Sequence, residues 1–226
     1  MKGLIAAMVA SGTCFANVAL AQDVDVDVDV VPDPGAGSGT EFVATGGTLT
    51  TEIEEPVTLY VQGVRVEGDL EGWAVGGGLQ FDLESAGRLR VGYFGLHLDG
   101  SAERPDPQDD RFRVEYQIGR NVDVLDVPVQ LLHRSRFEYR FRDIDDQFRW
   151  RPELRATFRP GKTVSPFFSV EPFLDVTDGE YQQTALEAGL AIRLSDSVVF
   201  RPSWTYSAVP GRPDNGFGLL LLGVRF

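Results

Sequence analysis

RFRVEYQIG (residues 111–119) decides what kind of chain this is. Phe112, Val114, Tyr116 and Ile118 alternate with Arg111, Arg113, Glu115 and Gln117. A period of two places the first set on one face of an extended strand and the second on the other. The same writing continues in VQLLHRSRFEYRFR, where Val129, Leu131, Phe137, Tyr139 and Phe141 oppose Arg134, Arg136, Glu138, Arg140 and Arg142. In QFRWRPELRATFR, Phe148, Trp150, Leu154 and Phe158 oppose Arg149, Arg151, Glu153, Arg155 and Arg159.

Outward from these segments the alternation persists with less charge. Trp73, Val75, Leu79, Phe81 and Leu83 share a face, as do Leu89, Val91 and Tyr93. Phe168, Val170 and Leu174 oppose Glu171; Leu186, Leu190 and Ile192 oppose Glu187 and Arg193. Val198, Phe200, Trp204 and Tyr206 oppose Arg201, and Leu220, Leu222, Val224 and Phe226 close the chain on one face. Ten strands follow: 57–67, 72–84, 87–98, 111–119, 129–142, 147–159, 165–175, 181–194, 198–208 and 215–226. A phase change near Gly63 reads as a bulge. EFVATGGTLTTEI (residues 41–53) is a candidate eleventh strand.

Long alternating strands suit a soluble sandwich, with charges outward, or a membrane barrel, with charges inward. The barrel is favoured. Aromatic residues crowd the apolar faces, Trp73 and Trp150 lie near strand ends, and the terminal Phe226 completes the last strand. Pro152 counts mildly against an unbroken ladder there. The expected fold is all-β, an antiparallel up-and-down transmembrane β-barrel of 10–12 strands. With both ends periplasmic, the short connections 84–87, 160–165 and 194–197 face the periplasm; 99–110, 143–146, 176–181 and 209–216 face outward. The connection 120–128 is long for a periplasmic turn.

The chain opens MKGLIAAMVASGTCFANVALA, with one early lysine, an apolar run and a small-residue ending, so residues 1–21 read as a signal peptide. Export followed by strands predicts the cell outer membrane. Cys14, the only cysteine, falls inside that segment, so the mature chain is expected to carry no disulfide. Residues 22–110 hold 19 acids against 4 arginines, whereas residues 111–226 hold 15 acids against 16 bases. Without a basic excess, an exported chain is not expected to bind nucleic acid. Residues 22–40 form an acidic leader and residues 41–226 the barrel. Within the leader, QDVDVDVDVV (residues 22–31) reads as a solvated acidic tail. It also fits a twelfth strand with Asp23, Asp25, Asp27 and Asp29 toward the lumen, or a plug folded back against the arginines.

LLHRSRFEYRFRD, FRWRPELRATF, SPFFSVEPFLDV and ALEAGLAIRLSDSVVFRPSWTY, in that order and ending on an aromatic residue, resemble a family of small Gram-negative outer-membrane barrels described only as a domain of unknown function. The resemblance spans residues 47–226 and implies a barrel in contact with outer-membrane lipid. It implies no substrate and no catalytic residue. In length and arginine-rich inner faces the chain is also similar to the twelve-stranded oligogalacturonate- and sialic-acid-specific porins.

The candidate site is the cationic strip on the three central strands: Arg111, Arg113, Arg134, Arg136, Arg140, Arg142, Arg149, Arg151, Arg155 and Arg159. Glu115, Glu138, Glu153, Glu171 and Glu187, with Asp82, are placed to face it. Arginine forks bind carboxylates and phosphates, so one reading is a narrow porin-like channel for small anionic solutes. The other is a sealed structural or interaction barrel whose arginines and glutamates satisfy one another. No enzyme is expected: His133 and Ser135 share a lipid-side face, but no acid is placed to orient the imidazole. His97 shows no partner in the sequence, and no metal or other cofactor is expected.

Overall fold

In a computed structural model the chain is described over residues 41–68, 71–99, 108–141, 146–159, 161, 163–211 and 214–226. The expectations for the signal segment, the acidic leader and Arg142 fall outside these residues. The alternation resolves into eleven strands: β1 (Glu41–Glu54), β2 (Val57–Gly68), β3 (Glu71–Asp82), β4 (Arg88–Asp99), β5 (Gln108–Val124), β6 (Val127–Phe141), β7 (Gln147–Phe158), β8 (Val164–Asp175), β9 (Glu180–Arg193), β10 (Val198–Ala208) and β11 (Asn215–Arg225). Each pairs antiparallel with its neighbours in sequence, and β1 closes on β11 to complete a barrel. At 11 to 17 residues, the strands match or exceed the ~9–11 residues that cross a bilayer at a tilt.

Closure is parallel. Glu41 pairs with Gly216, Thr45 with Leu220 and Thr50 with Arg225, because a meander with an odd strand count starts and ends with strands running the same way. The segment 41–53 is therefore a wall strand, and its direct ladder to β11 leaves no gap between them. One end of the barrel carries the tight connections, including Glu55–Pro56, the 3-10 turn Glu84–Ala86 and Leu125–Asp126. The other carries the two longest connections, 100–107 and 209–214, and we refer to these as the turn end and the loop end.

Two expectations are corrected. The connection 120–128 is a continued hairpin: pairing runs to Val124 opposite Val127, and Leu125 and Asp126, both with φ near +60°, form a two-residue turn. Positive φ at both central residues matches the twist of the flanking strands, so the turn end keeps short connections throughout. The phase change near Gly63 is no bulge either. β2 alternates strictly, with Tyr60, Gln62, Val64 and Val66 buried; the irregularity lies in β1, between Glu52 and Glu54. What changes along β2 is the kind of residue turned inward, polar at the turn end and apolar at the loop end.

That switch reflects a divided interior. Phe42, Ala44, Val64, Val66, Ala74, Phe94, Leu96, Phe217, Leu219 and Leu221 pack as one apolar cluster against the inner wall of β1–β4 and β11. The inner wall of β5–β8 is ionic. Outside, Val43, Leu49, Val75, Phe112, Leu154, Phe168, Leu190 and Leu222 are exposed along one continuous apolar face. β11 is apolar on both faces, which is why GFGLLLLGVRF loses its alternation.

Candidate functional site

Alternation puts the arginines inside, and the register sets which carboxylate each one meets. Along β5 the inner positions are Asp109, Arg111, Arg113, Glu115 and Gln117; along β6, Arg140, Glu138, Arg136 and Arg134; along β7, Gln147, Arg149, Arg151, Glu153 and Arg155. Pairings of Arg113 with Glu138, Glu115 with Arg136 and Arg134 with Glu153 set unlike charges side by side on adjacent strands.

Glu138 is the centre of the lattice and is fully buried. Its Oε2 accepts from Arg149 Nη2 at 2.6 Å and Nε at 2.9 Å. Its Oε1 accepts from Arg151 Nη1 at 3.2 Å, with Arg113 Nε at 3.4 Å and Arg111 Nη1 at 4.0 Å. Toward the turn end, Glu171 of β8 takes Arg151 at 2.8 Å and Arg134 at 3.4 Å. Glu115 takes Arg136 at 2.9 Å and Gln117 at 2.6 Å, with Arg90 at 3.7 Å. Glu153 lies between Arg134 at 2.6 Å and Arg155 at 2.8 Å. Glu187 of β9 takes Arg201 at 2.8 Å and Ser203 at 2.6 Å. At the loop end, Asp109 joins Arg111 to Arg140, and Gln147 links Arg140 to Asp175.

Aromatic rings close the remaining gaps. Arg113 lies 4.8 Å from the Phe94 centroid, Arg151 4.0 Å from Phe173, and Arg201 4.2 Å from Phe167. A guanidinium plane stacked on a ring keeps its edge donors for carboxylates, so packing and pairing do not compete. Ion pairs also cross a weakness in the wall. The β7–β8 register places Pro152 opposite Pro172, and ladder pairs are interrupted between Trp150 and Leu154. Arg151 and Glu171 bridge the two strands at that point.

Of the strip read from sequence, Arg111, Arg113, Arg134, Arg136, Arg140, Arg149, Arg151 and Arg155 are buried inside together. Arg159 lies just past the end of β7 and donates to Gln130 at 2.7 Å. Glu115, Glu138, Glu153 and Glu171 are buried among them, and Glu187 is nearly so. Asp82 lies at the turn-end mouth, paired with Arg88 at 2.9 Å. Sequence reasoning left Asp109, Arg90, Arg201, Phe94, Phe167 and Phe173 out of the site. Asp109 falls in the connection 99–110 as read from sequence, although the β5 alternation runs back to it; Arg90 and Arg201 lie in strands with little other charge. The phenylalanines carried no signal, since an apolar residue is expected outside a barrel. His133 and Ser135 are on the outer face, where Ser135 accepts a hydrogen bond from Trp150 Nε1 at 2.8 Å.

A family model described as a protein of unknown function (DUF2490) matches residues 59–217. The matched span contains the whole lattice. No curated protein and no solved structure matches the chain.

Proposed function

The chain belongs to the DUF2490 family of proteins of unknown function, and we propose that it is an outer-membrane barrel held shut by its own arginine–carboxylate lattice. In this reading it is a membrane-embedded scaffold that presents its loops. The observation that carries the reading is the burial of Arg111, Arg136, Arg140, Arg149 and Arg151, each at most 1 % exposed, around an equally buried Glu138. A water-filled pore would leave such groups wet. The apolar cluster on the facing wall supports the same reading, because it replaces the polar lining a channel needs. The exposed apolar outer face supports a lipid surround, and the long loops at one end support that end facing outward.

Refolded protein in planar bilayers is expected to insert without steady conductance. A stable, anion-selective current from the wild-type chain overturns the sealed reading in favour of a narrow anion channel. One observation favours that second reading: among the described residues the interior holds ten buried arginines against six buried carboxylates and the nearly buried Glu187. If the surplus forms an anion path, Arg→Ala changes in the lattice reduce the anion preference of the current.

A further inference from the structure

Alternation turns the strand arginines inward with two exceptions among the described strands, Arg65 and Arg120. Arg120 lies beyond the last β4–β5 pair, Arg88 with Gln117, on the hairpin that projects past the barrel rim. Arg65 is part of the wall itself, between the buried Val64 and Val66, with its side chain 75 % exposed on the apolar outer face. A cation on that face is costly in hydrocarbon and tolerated only where headgroups begin. Arg65 sits three residues before the loop-end terminus of β2, where that boundary belongs.

Its surroundings make a recognisable set. The register lines up Thr45, Arg65, Trp73 and His97 on four adjacent strands, all turned outward. Trp73 is half exposed and packs against His97 with ring centroids 5.5 Å apart. Across the seam Trp204 is also half exposed, its ring lying over Gly216, where a Cβ would come within 2.8 Å of it. By register Trp204 is level with Glu67, three strands from β2, so a tryptophan lies on either side of this stretch of the loop-end rim. The Arg65 Nε bonds Glu67 Oε1 at 2.6 Å, and both side chains of the pair are exposed.

We propose that Arg65, with Trp73 as a shelf and His97 and Thr45 as flanking polar groups, binds the phosphate of a lipid headgroup. The orientation given above makes that lipid the phosphorylated glycolipid of the outer leaflet, and to that extent the inference rests on the barrel reading. Phosphate matches the planar, paired donors of arginine, and a tryptophan shelf suits the sugar ring that carries it. Glu67 competes with the phosphate for the same guanidinium.

The test is native mass spectrometry of the refolded full-length protein, titrated with diphosphorylated lipid A, its dephosphorylated form and inorganic phosphate. Wild type is expected to retain the diphosphorylated lipid and release the dephosphorylated one. Arg65→Ala weakens retention about fivefold or more, Arg65→Lys less, and Glu67→Gln strengthens it. Arg120→Ala changes nothing. Equal retention by wild type and Arg65→Ala, both migrating as folded barrels, overturns the site and leaves the barrel standing. Displacement by millimolar inorganic phosphate overturns the lipid as the source of the anion. Failure of wild type to enter bilayers at all counts against the barrel reading instead.

Discussion

Glu138 faces four guanidinium groups from the strands on either side of it and has no contact with solvent. Its charge holds theirs in place. Removing one member of a buried ionic cluster leaves the others uncompensated, at a cost of about 3–5 kcal/mol. Glu138→Gln is accordingly expected to lower the urea midpoint of the barrel in vesicles by that much in unfolding free energy. Arg159→Ala, at the turn-end mouth, is expected to stay within about 0.5 kcal/mol of wild type. At this scale the sequence was legible wherever polar and apolar residues alternate cleanly, as in residues 111–119. It was not legible where an inner position is apolar. Phe94 and Phe173 look like lipid-facing residues, and only the strand phase around them reveals that they stack on arginines.

Strand pairing was readable nearly everywhere except at the closure. Ten strand boundaries follow from alternation to within a few residues, save at β5, where DVLDV hides a two-residue turn with no glycine to announce it. Whether β1 meets β11, or another strand comes between, depends on a ladder between distant segments that no local pattern encodes. The cysteine-poor chain offers a direct check. Thr45 and Leu220 are register partners on the outer face, so the double variant Thr45→Cys, Leu220→Cys is expected to form a disulfide in the folded barrel. An intervening strand would hold the two Cα atoms roughly 10 Å apart, beyond the ~7 Å a disulfide can span. Absence of the crosslink in folded protein would refute eleven-strand closure. A proline pair predicts softness elsewhere in the wall. Backbone amides around Pro152 and Pro172 are expected to exchange with deuterium faster than those of the unbroken β5–β6 ladder.

For the molecule as a whole, the two ends are distinguishable in living cells. Asp178, between β8 and β9 at the loop end, and Leu125, on the turn at the other end, are both exposed. If the loop end faces outward, a membrane-impermeant maleimide applied to intact cells labels Asp178→Cys and spares Leu125→Cys. The reverse pattern would invert the barrel and move the Arg65 site to the inner leaflet. The apolar half of the interior and the ionic half are complementary as a filling: one packs by shape, the other by paired charge.

Parallel closure also orders assembly in time. Thr50 and Val224, joined across the seam, are 174 residues apart in sequence, whereas the other neighbouring strands meet through local hairpins. Hairpin pairs are cheap in loop entropy and form early; the seam brings the chain's most distant strands together and has no hairpin to guide it. β1 starts at the loop end and β11 finishes at the turn end, so the first strand and the last enter the seam from opposite ends of the barrel. On that ordering, the β1–β11 seam is the pairing expected to form last, and until it forms the edges of β1 and β11 are the two free edges of the sheet.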